Sequence, residues 1–325
     1  MQPLNLFYEQ PPKRDSRFPY DRYLQRLNRI VKRGLAPAGQ MRIFVNLCKG
    51  LDQIGVSYRR NDYDYIKQHP EELACILGKE NVLNKLPWKN PILYGPNVYD
   101  HPLEDPDLLE RLPIKRILIA SEWFRKMCEP AWGPLIVLWR GGVDTSLWTP
   151  GARKNKPIDI ILYDKLKKND EHHRKELLSP ILKELQRRGL KIVVLQYGFY
   201  RETRFRALLK KTKAAIFLSA HETQGLARLQ AHSADVPVLA WEPGGFWKHP
   251  AYYPHKVRFS PVSSVPDWDD RCGVKFKGID DFHERLEEFL DALGRKRFAP
   301  REYILENFTL EQSAREYVKI ANALR

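Results

Sequence analysis

Residues 214–241 constrain the fold most. Ala214-Ala215-Ile216-Phe217-Leu218 is a wholly apolar run of strand length, and it ends in the polar turn Ser219-Ala220-His221-Glu222-Thr223-Gln224-Gly225. Leu226-Ala227-Arg228-Leu229-Gln230-Ala231 then follows a helical pattern, and Pro237-Val238-Leu239-Ala240-Trp241 opens a second apolar run. Strand, loop, helix and strand in that order form the unit of a parallel sheet. The loop puts Glu222 and the backbone N–H groups of Thr223, Gln224, Gly225 and Leu226 at the carboxyl edge of that sheet. Open α/β sheets bind ligands at this edge, and a helix N-terminus placed there favours an anion.

The same rhythm runs through the chain. Strand candidates are Leu4–Tyr8, Leu73–Leu77, Pro91–Tyr94, Arg116–Ala120 and Leu135–Trp139, with a helix from Ser121 to Cys128 capped by Ser121. The turn-rich segment 140–157 closes this half. Strands Ile158–Tyr163 and Lys191–Leu195 then restart the pattern, with a helix through Leu185 between them and another over Glu202–Lys211. Thr309-Leu310-Glu311-Gln312 is a capping box that opens a last helix. The reading is an α/β chain with two doubly wound, Rossmann-like parallel-sheet domains. The first covers 1–150 and the second 151–305, and a C-terminal helix over 306–325 is expected to pack back toward the first.

The charge demands a partner or a solvated surface. The chain of 325 residues carries a net charge of +15, and residues 1–60 hold twelve Lys and Arg against four Asp and Glu. Such a balance suits nucleic acid, an anionic membrane or a phosphorylated small molecule. Aromatic-interleaved RNA signatures are absent, so nucleic acid is not expected. Residues 21–33 read as a basic amphipathic helix that either packs its apolar face on the domain or lies peripherally on an anionic membrane. No apolar run reaches the length of a membrane span and no leader pattern opens the chain, so a cytoplasmic protein is expected. Cys48, Cys75, Cys128 and Cys272 show no metal-ligand spacing and read as reduced thiols.

Two such domains joined near residue 150 can form a cleft between their carboxyl edges. Lys165 and Lys168 follow a strand end, and with the helix N-terminus beyond Glu222 they can cradle a diphosphate and neutralise charge on a leaving group. A solvated loop is the other reading of these lysines. A carboxylate beside such a cradle would repel phosphate, so Glu222 suits hydroxyls, as on a sugar. It could instead satisfy donors at its own helix terminus. His101, in the loop after the Pro91–Tyr94 strand, is either a surface histidine or a donor to an anionic or hydroxylated ligand.

Ser219-Ala220-His221-Glu222-Thr223-Gln224-Gly225-Leu226 with Val236-Pro237-Val238-Leu239-Ala240 resembles the signature region of group 1 retaining glycosyltransferases, glycosyltransferase family 4. The segment Gly142-Val143-Asp144 through Pro150 is similar to their interdomain motif, and 298–311 is similar to their C-terminal helices. The resemblance covers the second half well and the first half by layout. It implies a GT-B architecture, with the nucleotide sugar held mostly by the C-terminal domain and the acceptor by the N-terminal one. It implies no metal, because basic side chains and a helix N-terminus take that role. Glu222 matches the first acid of the family's Glu-x7-Glu motif and would contact sugar hydroxyls. Lys165 and Lys168 stand near the family's diphosphate pair, with Lys167 or Arg174 as substitutes, and His101 stands where a histidine often reaches the donor sugar. The second acid of the motif, which holds the ribose hydroxyls, falls at Gln230. An amide there still donates and accepts hydrogen bonds.

The expected activity is transfer of a sugar, with retention, from a nucleotide-diphosphate sugar to a hydroxyl of a glycan, polysaccharide or lipid-linked acceptor. No cofactor is expected. Gln230 and the net charge keep open a non-catalytic nucleotide-sugar or polyanion-binding protein on the same fold. A sugar-nucleotide epimerase or phosphorylase is the third possibility.

Overall fold

The computed structural model describes residues 2–11, 39–96, 98–152, 156–166 and 171–325. The basic helix expected over 21–33 lies outside the described residues, as do Lys167 and Lys168. The chain forms two compact units. The first contains residues 39–142 and 308–325 together with the N-terminal strand, and the second contains 143–307.

The first unit is built on a six-stranded parallel sheet in the order β2-β1-β3-β4-β5-β6. Its strands are β1 (Leu4–Phe7), β2 (Tyr58–Arg60), β3 (Ala74–Ile76), β4 (Ile92–Tyr94), β5 (Ile114–Ile119) and β6 (Ile136–Leu138). Strands β1, β3 and β4 are buried along their whole length, as both-face coverage by helices requires. Ser121 stands at the N-cap of helix Glu122–Trp132, but its hydroxyl makes no capping bond.

The expected capping box at the tail is present. Gln312 donates its N–H to Thr309 Oγ1 at 3.2 Å, and Thr309 donates its N–H to Gln312 Oε1 at 3.0 Å. The helix Leu310–Asn322 that follows packs on helix Gly39–Gln53 at a close crossing. A Cβ added to Gly50 would lie 2.4 Å from the Leu310 carbonyl oxygen, so only glycine permits the approach. Trp139 Nε1 donates to the Ser313 carbonyl at 2.9 Å, and the Trp139 and Tyr317 rings meet edge to face at 5.0 Å. The end of the chain therefore completes the core of the first unit.

The second unit holds a five-stranded parallel sheet in the order β11-β10-β9-β7-β8. Its strands are β7 (Ile158–Asp164), β8 (Ile192–Gln196), β9 (Thr212–Leu218), β10 (Val238–Trp241) and β11 (Gly273–Phe276). Central β9 contains the apolar run that limited the fold, and Ala214, Ala215, Ile216 and Leu218 are fully buried in it. Helices such as Ser179–Arg187 and Ile279–Gly294 cover one face of this sheet, with Ile181, Leu185, Phe282, Leu286 and Phe289 meeting Ile216 and Leu218 in one cluster.

Three details depart from the sequence reading. Strand β11 had no apolar run to announce it, and its partner β10 holds it in place. The helix expected through Leu185 contains a π-turn at Arg174–Leu178. Pro180 supplies no N–H to the preceding turn, and the ladder widens there. The break between units falls after Gly142 rather than at residue 150. Trp148 is 2% exposed and its carbonyl accepts from Ser233 Oγ at 2.8 Å, which ties residues 143–150 to the second sheet's helices.

Candidate functional site

The carboxyl ends of β7 and β9 lie side by side in the second unit, and this places the two central residues. Register runs from Leu162↔Ile216 to Asp164↔Leu218, and one residue further the Lys165 N–H donates to the Leu218 carbonyl at 2.9 Å. Lys165 therefore leaves the sheet opposite the loop that carries Glu222. Its Nζ donates to both carboxylate oxygens of Glu222, at 2.6 and 2.7 Å. The side chains are 27% and 17% exposed, so the pair lies at the edge of solvent. Burial opposes the charge on Lys165, but the Glu222 carboxylate more than offsets it, and the lysine pKa sits above its ordinary value.

Neighbouring groups hold the pair in place. Ser219 Oγ donates to Glu222 Oε1 at 2.9 Å, and the Glu222 N–H donates to the Ser263 carbonyl at 2.9 Å. Lys165 Nζ also lies 4.8 Å from the centre of the Tyr197 ring, within cation–π range. Below it, Tyr163 and Phe217 stack at 4.6 Å on adjacent strands. Burial raises the Tyr163 hydroxyl far above its usual range, so this floor stays neutral.

The loop enters helix Leu226–Ser233 through Gly225, whose φ of 74° is left-handed. Arg228 and Leu229 direct their N–H groups back to the Gly225 carbonyl. Among the described residues, the N–H groups of Leu226 and Ala227 meet no acceptor, which leaves them available to an anion. Gln224 is buried, Thr223 is half-buried, and Gln230 is half-buried one turn further along the helix.

The structure therefore brings Lys165, Glu222, Thr223, Gln224, Gly225, Leu226 and Gln230 to one loop and the helix it opens. Arg174, the substitute for the second lysine, is engaged with Asp164 Oδ2 at 3.2 Å, and Asp164 is itself 3% exposed. His101 belongs to the first unit, where its Nδ1 accepts from the Leu103 N–H at 3.1 Å and its own N–H donates to Glu104 Oε1. Burial lowers its pKa, and with Nδ1 accepting from Leu103 a neutral ring there would carry its proton on Nε2.

Sequence reasoning missed Ser219, Tyr197 and Arg228. Tyr197 is the first residue after β8, a strand-end position like that of Lys165, and that placement was a usable signal. Ser219 reads as turn chemistry and its contact with Glu222 is a side-chain detail. Arg228 is 2% exposed, its Nη2 donates to the Pro266 carbonyl, and its Nε and Nη1 meet no partner among the described residues.

No family model matches the chain, and no curated protein sequence matches it. Solved structures do. The lipopolysaccharide outer core galactosyltransferase WaaB in its apo form aligns at TM-score 0.58 with 10% identity, over 98% of this chain and 98% of that one. Anabaena Alr3699/HepE in complex with UDP aligns at TM-score 0.57 with 11% identity, over 99% of this chain and 100% of that one. Sucrose-phosphate synthase from Thermosynechococcus elongatus aligns at TM-score 0.50 with 12% identity, over 100% and 99%. Other matches, such as TarM, are larger, and this chain spans 55–59% of the length of four of them. The chain thus has the GT-B glycosyltransferase fold, two Rossmann-like parallel-sheet units in one polypeptide.

Proposed function

We propose that the protein is a glycosyltransferase that moves a sugar from a nucleotide-diphosphate sugar to an acceptor hydroxyl, with retention and without a metal. The observation that carries this reading is the two-toothed contact between Lys165 and Glu222 beside the open N–H groups of Leu226 and Ala227. Each partner stands in for part of a ligand. The ammonium is a seat for diphosphate oxygens, and the carboxylate is a seat for sugar hydroxyls. With donor bound, diphosphate takes Lys165 and the helix N–H groups, and Glu222 turns to the hydroxyls. Positive charge then lies where the nucleoside diphosphate leaves, which is the electrostatic help this reaction needs.

From the resemblance alone, His101 is kept as a candidate contact to the donor sugar. Gln230 takes the ribose hydroxyls through its amide. UDP is the first nucleotide to test, because HepE, which shares the fold, holds it. The test is release of UDP from labelled UDP-hexoses in chelator, for the wild type and for Glu222→Ala and Lys165→Ala. Unchanged turnover in both variants sinks the site, and loss of activity in chelator sinks metal independence. Gln230 favours one second reading, a nucleotide-sugar binder without turnover. That reading predicts a donor-induced rise in melting temperature with no UDP release.

A further inference from the structure

Between β10 and β11 the chain makes an excursion that the donor site does not use. Its base is fastened to the loop of Glu222. The Glu222 N–H donates to the Ser263 carbonyl, and the Ser264 N–H donates to Glu242 Oε2 at 2.6 Å. Two further bonds close the stem, Trp247 N–H to the Phe259 carbonyl at 2.8 Å and Val262 N–H to the Gly245 carbonyl at 3.1 Å. Anything held by the tip is therefore tied by a short hydrogen-bonded stem to the residue that faces the sugar.

The tip has a distinct chemistry. From Phe246 to Ser260 it contains Lys248, His249, His255, Lys256 and Arg258 and no acid. Lys248, His255, Lys256 and Arg258 are exposed. Among the described residues, no carboxylate pairs with Lys248, Lys256 or Arg258. The aromatic side chains give these cations a rigid base. Trp247 stacks on His249 at 5.1 Å and on Tyr252 at 5.6 Å, and Phe246 meets Tyr253 at 5.7 Å. Arg258 lies over the Phe246 ring at 5.5 Å.

Unpaired cations on an ordered support, with no acid among them, complement a ligand of repeated negative charge. A membrane fits less well. Trp247 is only 2% exposed, and Phe246, the large apolar side chain that is exposed at the tip, already carries the Arg258 guanidinium on one face. That leaves too little apolar surface to insert between lipids.

We propose that residues 246–258 add a contact from the second unit to an acceptor that the resemblance assigns mainly to the N-terminal domain, and that the acceptor is an anionic glycan bearing carboxylate or phosphate groups. Lys248, Lys256 and Arg258 pair with its charges, and the exposed face of Phe246 packs on a sugar ring. This inference rests on the glycosyltransferase reading, because a stem fastened to Glu222 matters for an acceptor only if a sugar is transferred there.

The test measures binding to the full chain by calorimetry, with three oligosaccharide probes of equal length. They are a polygalacturonate (carboxylates), a phosphorylated maltooligosaccharide (phosphates) and neutral maltooligosaccharide. Both anionic probes, or the one whose charge the acceptor carries, bind at least tenfold tighter than the neutral one, and rising salt weakens them. Lys248→Ala/Lys256→Ala/Arg258→Ala removes at least tenfold of that affinity, and the single variant Lys256→Glu removes several-fold. All substituted side chains are exposed, so the melting temperature and the UDP-induced shift in it stay at wild-type values.

Equal binding of charged and neutral probes overturns the proposal, as does unchanged anionic binding in the triple variant. Duplex DNA or vesicles rich in phosphatidylserine that bind through the same residues and are not displaced by the oligosaccharides overturn it in favour of those partners. Absence of any UDP-induced shift in the wild type refutes the donor reading separately, because that measurement does not involve the tip.

Discussion

The ion pair between Lys165 and Glu222 can be tested through stability before any substrate is known. Exposed pairs contribute about 0.2–1 kcal/mol, and breaking a buried one costs about 3–5 kcal/mol. This pair is intermediate, with exposures of 27% and 17% and both carboxylate oxygens engaged. A coupling of about 1–2 kcal/mol follows for the double-mutant cycle of Lys165→Met and Glu222→Gln. Glutamine keeps the Ser219 bond, so the cycle isolates the charge contact. For a unit of this size the coupling corresponds to roughly 2–8 °C in the melting of the second unit.

The pH dependence has a definite sign. The folded pKa of Lys165 lies above its unfolded value because Glu222 outweighs the opposing effect of burial. The contribution is complete below about pH 10, near the ordinary lysine value, and is lost as pH rises through the folded one. Urea melts of the four proteins at pH 7.5 and at about pH 11 measure both quantities. A coupling below about 0.3 kcal/mol, or one that persists undiminished at the higher pH, refutes the electrostatic account. In saturating UDP the same cycle should shrink, because diphosphate replaces the carboxylate at Lys165.

Three further outcomes are expected. Gly50→Ala forces a Cβ to 2.4 Å from the Leu310 carbonyl oxygen and 2.9 Å from Ala314 Cβ, and should cost about 1–3 kcal/mol. Limited proteolysis should then release the C-terminal helix before the rest of the first unit opens. His232 is buried, and burial together with the Arg228 charge pushes its pKa well below the ordinary value. The folded state therefore refuses a proton that the unfolded chain accepts, and stability should fall below about pH 6.5, at up to about 1.4 kcal/mol per pH unit. His232→Asn should flatten that slope in acid-range urea melts. Gln230→Glu exchanges a neutral hydrogen bond for a charged one at the position expected to meet the ribose. UDP affinity by calorimetry should rise by roughly 3–10-fold. A weaker or unchanged affinity places the ribose elsewhere.

Local pattern carried much of the architecture. The apolar run 214–218 becomes central β9 because a sheet covered on both faces requires strands with no polar side. Glu222 and Gly225 were legible for a related reason, since a strand followed by a helix must turn at the sheet's carboxyl edge. Thr309 and Gln312 announced the last helix because capping depends only on residues three apart.

What the tertiary structure decided involves residues far apart in sequence. Strand β11 exists through pairing with β10, and the last helix belongs to the first unit because Gly50 lets Leu310 approach. The same holds at the site. Composition put Lys165 after a strand and Glu222 in a loop, but their 57-residue separation hid that β7 and β9 are neighbours. Only strand order turns those two charges into a pair. The residues of residues 214–241 thus fixed where a ligand site could form, and the lateral packing of parallel strands determined which lysine faces its carboxylate.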